Sequence, residues 1–516
     1  MSDRTPSNHA MRQRSGYAGM AAVAVTLGIT ELFAGLFARV PSATASIGAI
    51  VIDLSPSWLE SFAISVFGTL DKLVLAIGIF AVAILIGGFL GRRSVTNPAP
   101  ILGGFVGFGV LGVLAQLQEP GAEAGPVIAA MFVAAGLGIS AFYGFRKIFD
   151  PGETSFTDND VNNIGRRRLL LGVASAVTVT AVSVGVGRAM LRSRSEAQRS
   201  SQILPTPVEA MADPTAAHDF DLGGVSPVVV SNDTFYRIDT ALVVPAIDPD
   251  MWSLRIHGMV DDEVNLSYND LRGLDQIERY ATLSCVSNEV GGRLVGNALW
   301  TGVLLKDVLD MAGVRSGAEQ VVGRSVDGWT AGFPVEFALD DREAMIAIGM
   351  NREILPTSHG FPARLVVPGL YGYVSATKWL TEIELTTWDA FDGYWIPRGW
   401  SKEGPIKTQS RIERPKHNSR IDAGPFTLGG VAWAPTLGIT AVEVQVDDGP
   451  WVLAELAESL SDNSWRLWKL DIDVAPGQHT ARVRATDGTG YTQTSERSNP
   501  RPDGATGWHI VDFSTN

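Results

Sequence analysis

Cys285 is the only cysteine in the 516-residue chain. It follows a short β-prone run, 280–283, and precedes a stretch rich in glycine and asparagine. This order predicts a thiol at a strand end, beside a loop whose backbone can approach a ligand closely. Three roles suit such a thiol: metal ligand, nucleophile, or small buried apolar side chain. Further along, Arg364 and Lys378 sit in apolar, strand-like contexts (Leu365-Val366-Val367 and Trp379-Leu380). An unpaired cation buried there is costly, so an anionic ligand accounts for them better than surface charge does. Spacing also allows Cys285 as a nucleophile with His359 as its base, an arrangement that leaves these cations unused. A single cysteine rules out any intrachain disulfide.

The segment Thr282-Leu283-Ser284-Cys285-Val286-Ser287-Asn288 is followed by Trp300-Thr301-Gly302-Val303-Leu304-Leu305-Lys306-Asp307-Val308-Leu309. Then come His359-Gly360-Phe361-Pro362-Ala363-Arg364-Leu365-Val366-Val367-Pro368-Gly369 and Lys378-Trp379. In this order they resemble the sulfite oxidase family of molybdenum enzymes, here as a membrane-anchored bacterial member. The resemblance implies a mixed α+β molybdopterin domain and a molybdenum-pyranopterin cofactor whose metal is bound by Cys285. It implies that Asn232, Tyr236 and Asn288 line the cofactor, and that His359, Arg364, Ser375 and Lys378 hold the phosphate of the pterin tail. It further implies oxygen-atom transfer on a small-molecule substrate, with electrons leaving singly to a redox partner. The sulfite-oxidising branch carries arginines just after its Cys-x-x-Asn, where this chain has Glu289 and Val290. A carboxylate there repels a dianion. The expected catalytic set is therefore Cys285, Glu289 and Arg293, acting on a substrate other than sulfite, with Trp395 and Arg398 as further pocket candidates.

Hydrophobic residues make up 46% of the chain, and mean hydropathy is +0.14, high for a soluble enzyme. The excess lies in five apolar runs, 17–38, 73–91, 101–117, 126–145 and 169–187, each able to cross a bilayer as a helix. The shorter stretches 46–54 and 58–67, with Asp53 and Glu60, read as a loop lying on the membrane. Arginines and lysines cluster before the first run, after the second and between the fourth and fifth. This places the N-terminus in the cytoplasm and everything after Arg188 outside. Gly165-Arg166-Arg167-Arg168-Leu169-Leu170-Leu171 resembles a twin-arginine export signal placed internally, which suits export of a folded, cofactor-loaded domain. No histidine falls in the apolar runs, which excludes bis-histidine haem within them. Glu31 lies inside the first run, where an ionisable group is costly and often functional. Gly103 and Gly107 are expected to let helices approach closely. The net charge of −14 gives no basic footprint for nucleic acid.

After a polar linker at 191–215, the molybdopterin domain is expected over 216–408. From about Arg411 the pattern changes to regularly spaced alternating strands such as 441–446, with Asp448-Gly449 as a turn signal. This predicts an immunoglobulin-like β-sandwich over 409–516, and it resembles the family's dimerisation domain, which implies a homodimer. The whole reads as a transmembrane bundle over 1–190, an α+β domain and a β-sandwich. Two other functions fit the same sequence: a cysteine-dependent hydrolase, and a non-catalytic cell-surface binding protein working through its sandwich.

Overall fold

The computed structural model describes residues 8–56, 59, 66, 71–119, 122–149 and 158–516. It divides into two compact units, Met1–Glu196 with Ala241–Ala246, and Ala197–Thr240 with Ile247–Asn516.

The first unit is helical: α1 (Asn8–Leu36), α2 (Ala43–Leu54), α3 (Asp71–Arg93), α4 (Ala99–Gln116), α5 (Ala124–Phe149) and α6 (Asp158–Ser200). All but α2 contain a span long and apolar enough to cross a membrane. Glycines fix how closely α1 meets its neighbours. A Cβ on Gly19 would lie 2.1 Å from the Gly87 carbonyl oxygen of α3, and one on Gly35 would lie 2.4 Å from that of Gly187 on α6. Gly103 and Gly107 do not have the packing role expected of them among the described residues, none of which lies within 4 Å of where their Cβ atoms would be. The close approaches are made by α1, not by that face of α4. Glu31, 1% exposed, has a local partner. Its carboxylate accepts from the Ser42 hydroxyl (2.8 and 2.9 Å) and from the Thr44 amide (3.2 Å), so it sits at the N-terminus of α2, where a helix favours negative charge. Of the expected surface loop, 46–54 belongs to α2, whereas 58–67 falls largely outside the described residues, as do the side chains of Asp53, Glu60 and Arg166.

In the second unit the middle of the chain forms two sheets. One has the order β2 (Val264–Ser267), β1 (Ser253–Gly258), β10 (Leu380–Thr386), β5 (Gln320–Ser325), β6 (Thr330–Pro334), with β1 and β10 parallel. The other runs β3 (Ile277–Ser284), β4 (Val295–Leu304), β7 (Met345–Met350), β8 (Glu353–Ile354), with β9 (Arg364–Val366) also paired to β7. Short helices punctuate the strands as their sequences require. Ser267 and Asp270 form a capping box on Tyr268–Gly273, and Leu305–Ala312 stops at Gly313, whose φ of 69° suits glycine. Strands β3 and β4 are buried along almost their whole length, so they show no alternation in sequence.

The remaining strands are β11 (Gln409–Arg414), β12 (Ser419–Ile421), β13 (Gly424–Trp433), β14 (Ile439–Val446), β15 (Val452–Leu453), β16 (Glu455–Leu456), β17 (Arg466–Val474), β18 (Gly477–Asp487) and β19 (His509–Thr515). They form a sheet β11-β13-β17-β16 and a sheet β12-β19-β18-β14-β15, whose inner faces share one core around Leu428, Trp468, Val444 and Val483. The polar segment expected as a linker is helical through Ser200. After that it lies along β3: Glu209 bridges Ile277, and the Val208 amide donates to Gln276 at 2.7 Å.

Candidate active site

Cys285 is the first residue after β3, and its amide donates to the Leu294 carbonyl (2.9 Å) at the start of the return to β4. The loop between is closed by its own bonds. The Asn288 side-chain oxygen accepts from the Leu294 amide at 2.8 Å, and the Gly292 amide donates to the Glu289 carbonyl at 2.8 Å. Asn288 thus acts here as a backbone clasp that fixes the thiol's position. Burial pushes the Cys285 thiol up from its ordinary value, and hydrogen bonds from the amide and hydroxyl of Ser287 pull it partly back. Two phenols feel its charge. Tyr236 is raised by burial and then by Cys285, and Tyr371 is raised to about 12 by burial, with Asp503 and Cys285 adding to it.

A group of cations faces the same neighbourhood through Tyr236. Arg364 is 5% exposed, and burial lowers it to about 10 while Tyr236 opposes the shift. Its guanidinium lies 5.0 Å from the Trp300 ring centroid and donates to the carbonyls of His359 (3.1 Å) and Leu365 (3.3 Å). No carboxylate pairs with Arg364 among the described residues. Lys378, lowered to about 8 chiefly by burial, donates to Asp239 at 2.9 Å, which Arg237 also holds at 2.7 Å. His359 is 4% exposed, its Nε2 lies 2.9 Å from the Asn232 carbonyl, and burial followed by Arg364, Lys378 and Arg237 lowers it to about 4. Gly360 makes the close packing possible: its φ is 117°, and a Cβ there would press to 3.1 Å on the Cβ atoms of both Arg364 and Lys378. Asn232 is held in turn, accepting from Asn351 (2.8 Å) and donating to the Met350 carbonyl (3.2 Å). Three cations against Asp239 leave surplus positive charge, and a buried guanidinium without a carboxylate suits a phosphate-bearing ligand. The donor set therefore fits the pterin phosphate.

Several of the other expected residues make contacts of their own. The side chains of Glu289 and Arg293 are exposed, and neither has a side-chain hydrogen bond or ion pair among the described residues. Ser287 is the side chain hydrogen-bonded to the thiol. The hydroxyl of Ser375 is fully buried and donates to the Tyr371 carbonyl at 3.1 Å, so it braces the segment carrying Tyr371. Arg398 stacks 3.7 Å from the Tyr394 ring centroid and donates to the Tyr394 carbonyl; Trp395 packs edge-on against Tyr394 and Trp400. Tyr371, Arg237 and Asp239 belong to the neighbourhood without having been expected. Arg237 and Asp239 follow Tyr236 directly, so the charge pattern there was a usable signal; Tyr371 carried none.

A family model described as an oxidoreductase molybdopterin binding domain matches residues 241–395, and one described as a Mo-co oxidoreductase dimerisation domain matches 403–511. An uncharacterized oxidoreductase, YuiH, of Bacillus subtilis (strain 168) is 33% identical over 157 residues, covering 30% of this chain and 76% of that protein. The chain belongs to the sulfite oxidase family of molybdopterin oxidoreductases. Human mitochondrial sulfite oxidase, another member, is 28% identical over 289 residues, 47% of this chain and 53% of that protein. The chain thus spans about half the length of the curated relatives first matched. Among solved structures, the sulfane dehydrogenase SoxCD of Paracoccus pantotrophus shares the fold, with a TM-score of 0.50 and 21% identity over 61% of this chain and 91% of that one.

Proposed function

We propose that this protein is a molybdopterin oxidoreductase, anchored by its apolar helices, that works outside the cytoplasm by oxygen-atom transfer. The observation that carries the reading is the placement of Cys285 at a strand end, one phenol away from a cation cluster that lacks its full share of carboxylates. Cys285 would bind the metal as a thiolate, Asn232 and Tyr236 would line the pterin, and His359, Arg364 and Lys378 would hold its phosphate. When bound, the group supplies two-electron chemistry at an oxygen atom, followed by single-electron release. This chain's part is to fix the thiol by Asn288 and Ser287, to keep the phosphate neutralised by Arg364 and Lys378, and to keep His359 uncharged near pH 7 with its Nε2 proton given to the Asn232 carbonyl.

Hydrolysis by Cys285 and His359 is the weaker reading. The thiol is raised rather than lowered, its hydrogen-bond partner is Ser287, and His359, at about 4, is too weak a base near neutral pH. Residues 286–292 carry no cation, which supports a substrate less anionic than sulfite. Glu289 in that stretch adds a carboxylate that repels a dianion. The arginines and lysines around the apolar helices support a cytoplasmic N-terminus, and Arg166 to Arg168 support twin-arginine export of the folded part. The C-terminal strands suit an immunoglobulin-like sandwich acting in a homodimer, with a separate redox protein taking the electrons.

The test is metal and pterin analysis of the purified protein, with electron paramagnetic resonance of its Mo(V) state. Native protein is expected to hold one molybdenum per chain, and Cys285→Ser to lose the thiolate signature and nearly all oxidoreductase activity. Assays with an artificial acceptor across sulfite and neutral sulfoxides assign the substrate class. Native protein free of metal and pterin overturns the proposal.

A further inference from the structure

The Cys285 loop is held from outside by the C-terminal strands. Gly291 has a φ of 77°, and a Cβ on it would lie 2.1 Å from Cδ2 and 2.2 Å from Nε2 of His509, so the imidazole rests directly on the loop backbone. The ring cannot turn freely, because its Nδ1 accepts from the Ile412 amide at 3.0 Å, which places the proton on Nε2. The neighbouring carbonyl, that of Gly292, accepts from Arg411, which is 5% exposed and ion-paired with Glu413. Glu413 is fixed in its turn by the amide (2.5 Å) and hydroxyl (2.7 Å) of Ser226.

On the other flank the same part of the chain grips β3. The Thr282 amide donates to the Asn463 carbonyl (2.9 Å), the Trp465 amide donates to the Thr282 hydroxyl (2.7 Å), and Ser461 donates to the Tyr280 carbonyl (3.1 Å). Cys285 is therefore bracketed, upstream and downstream, by groups far away in sequence. Within the loop Cys285, Asn288 and Gly292 supply closing bonds, which fix its internal shape and not its place.

We infer that His509 is a positioning residue: seated on Gly291, it sets where the Cys285 sulfur points, with Arg411 holding the adjacent carbonyl. This rests on Cys285 being the metal ligand. Partners that orient a ligand from behind typically change affinity or activity by about 10–100-fold when removed.

The full chain carrying His509→Ala, His509→Asn or Gly291→Ala is purified with cofactor, and also from a host that makes no molybdopterin. Because Cys285 is the chain's only thiol, its alkylation by iodoacetamide in the cofactor-free protein reads the loop directly. His509→Ala is expected to raise that rate about tenfold, to shift the Mo(V) spectrum, and to lower kcat about tenfold with KM little changed. His509→Asn, which keeps an acceptor for Ile412, restores most of each. If His509→Ala fails to fold, Gly291→Ala tests the same contact from the loop side and is expected to give the same spectral shift and faster alkylation. A native alkylation rate and native spectrum in both His509→Ala and Gly291→Ala, or in Gly291→Ala when His509→Ala does not fold, overturn the inference. A native protein without metal overturns instead the reading of Cys285 as a ligand, and the alkylation arm still decides whether His509 sets the loop.

Discussion

Arg364 shows most plainly how a ligand is written into single side chains. Its charge is buried on Trp300, between backbone carbonyls, without a carboxylate to offset desolvation. Replacing it by methionine removes that cost while filling similar space. Arg364→Met is therefore expected to stabilise the cofactor-free protein by about 1–3 kcal/mol, read as a rise in Tm, while molybdopterin content falls sharply. His359 and His509 give a second test, in acid. Both are held near 4, whereas the unfolded chain takes up these protons near 6.5. Between those values the unfolded state binds more protons, so the contribution is complete above pH 6.5 and is lost as pH falls through 4. A displacement of this size is worth on the order of 3 kcal/mol for a buried ring. Denaturant titrations between pH 7 and 4 are expected to show the loss, with a shallower slope in His359→Gln. Burial leads the causes at both rings, and the flanking arginines and lysine deepen it.

Among the elements, β3 and β4 do most to place the site, and their connection is where sequence and structure agree best. The Cys-x-x-Asn spacing marked a thiol at a strand end, which the structure has, and Asn288, expected to line the cofactor, is seen clasping the loop through a local contact. Arg364 is buried and Lys378 nearly so, as charged residues inside apolar runs were expected to be, and the anionic ligand that accounts for them belongs to the proposal. Tyr371, Arg411 and His509 were not legible as site residues, because tertiary contacts across long sequence separations bring them in and nothing local marks them. Glu289, beside the motif, has an exposed side chain and stays a proposed pocket residue. Thr282 illustrates what the strand itself requires. Its hydroxyl accepts from Trp465 and donates to Asn297 (3.1 Å) with no exposure. Thr282→Val strands a buried amide and is expected to cost about 1–3 kcal/mol, measurable by urea unfolding, with the Mo(V) signal altered as well.

At the scale of the molecule, the β-strands after residue 408 are not an appendage. The large core that contains Leu283 and Trp300 also contains Val431, Trp433, Ala457, Trp465 and Leu467. Sequence reading placed a boundary near residue 409 from the change in strand pattern, which is real, but pattern says nothing about shared interior. The unit Ala197–Thr240 with Ile247–Asn516 is accordingly expected to unfold in one calorimetric transition, and a chain ending at residue 402 is expected to lose that transition. The contact of His509 with Gly291 has a consequence in time as well as in space. A ribosome delivers Cys285 well before His509, so the seat beneath Gly291 stays empty while the thiol already exists. Whatever inserts the cofactor meets either a thiol still free to wander or one already seated, and the synthesis of His509 is the moment that separates the two.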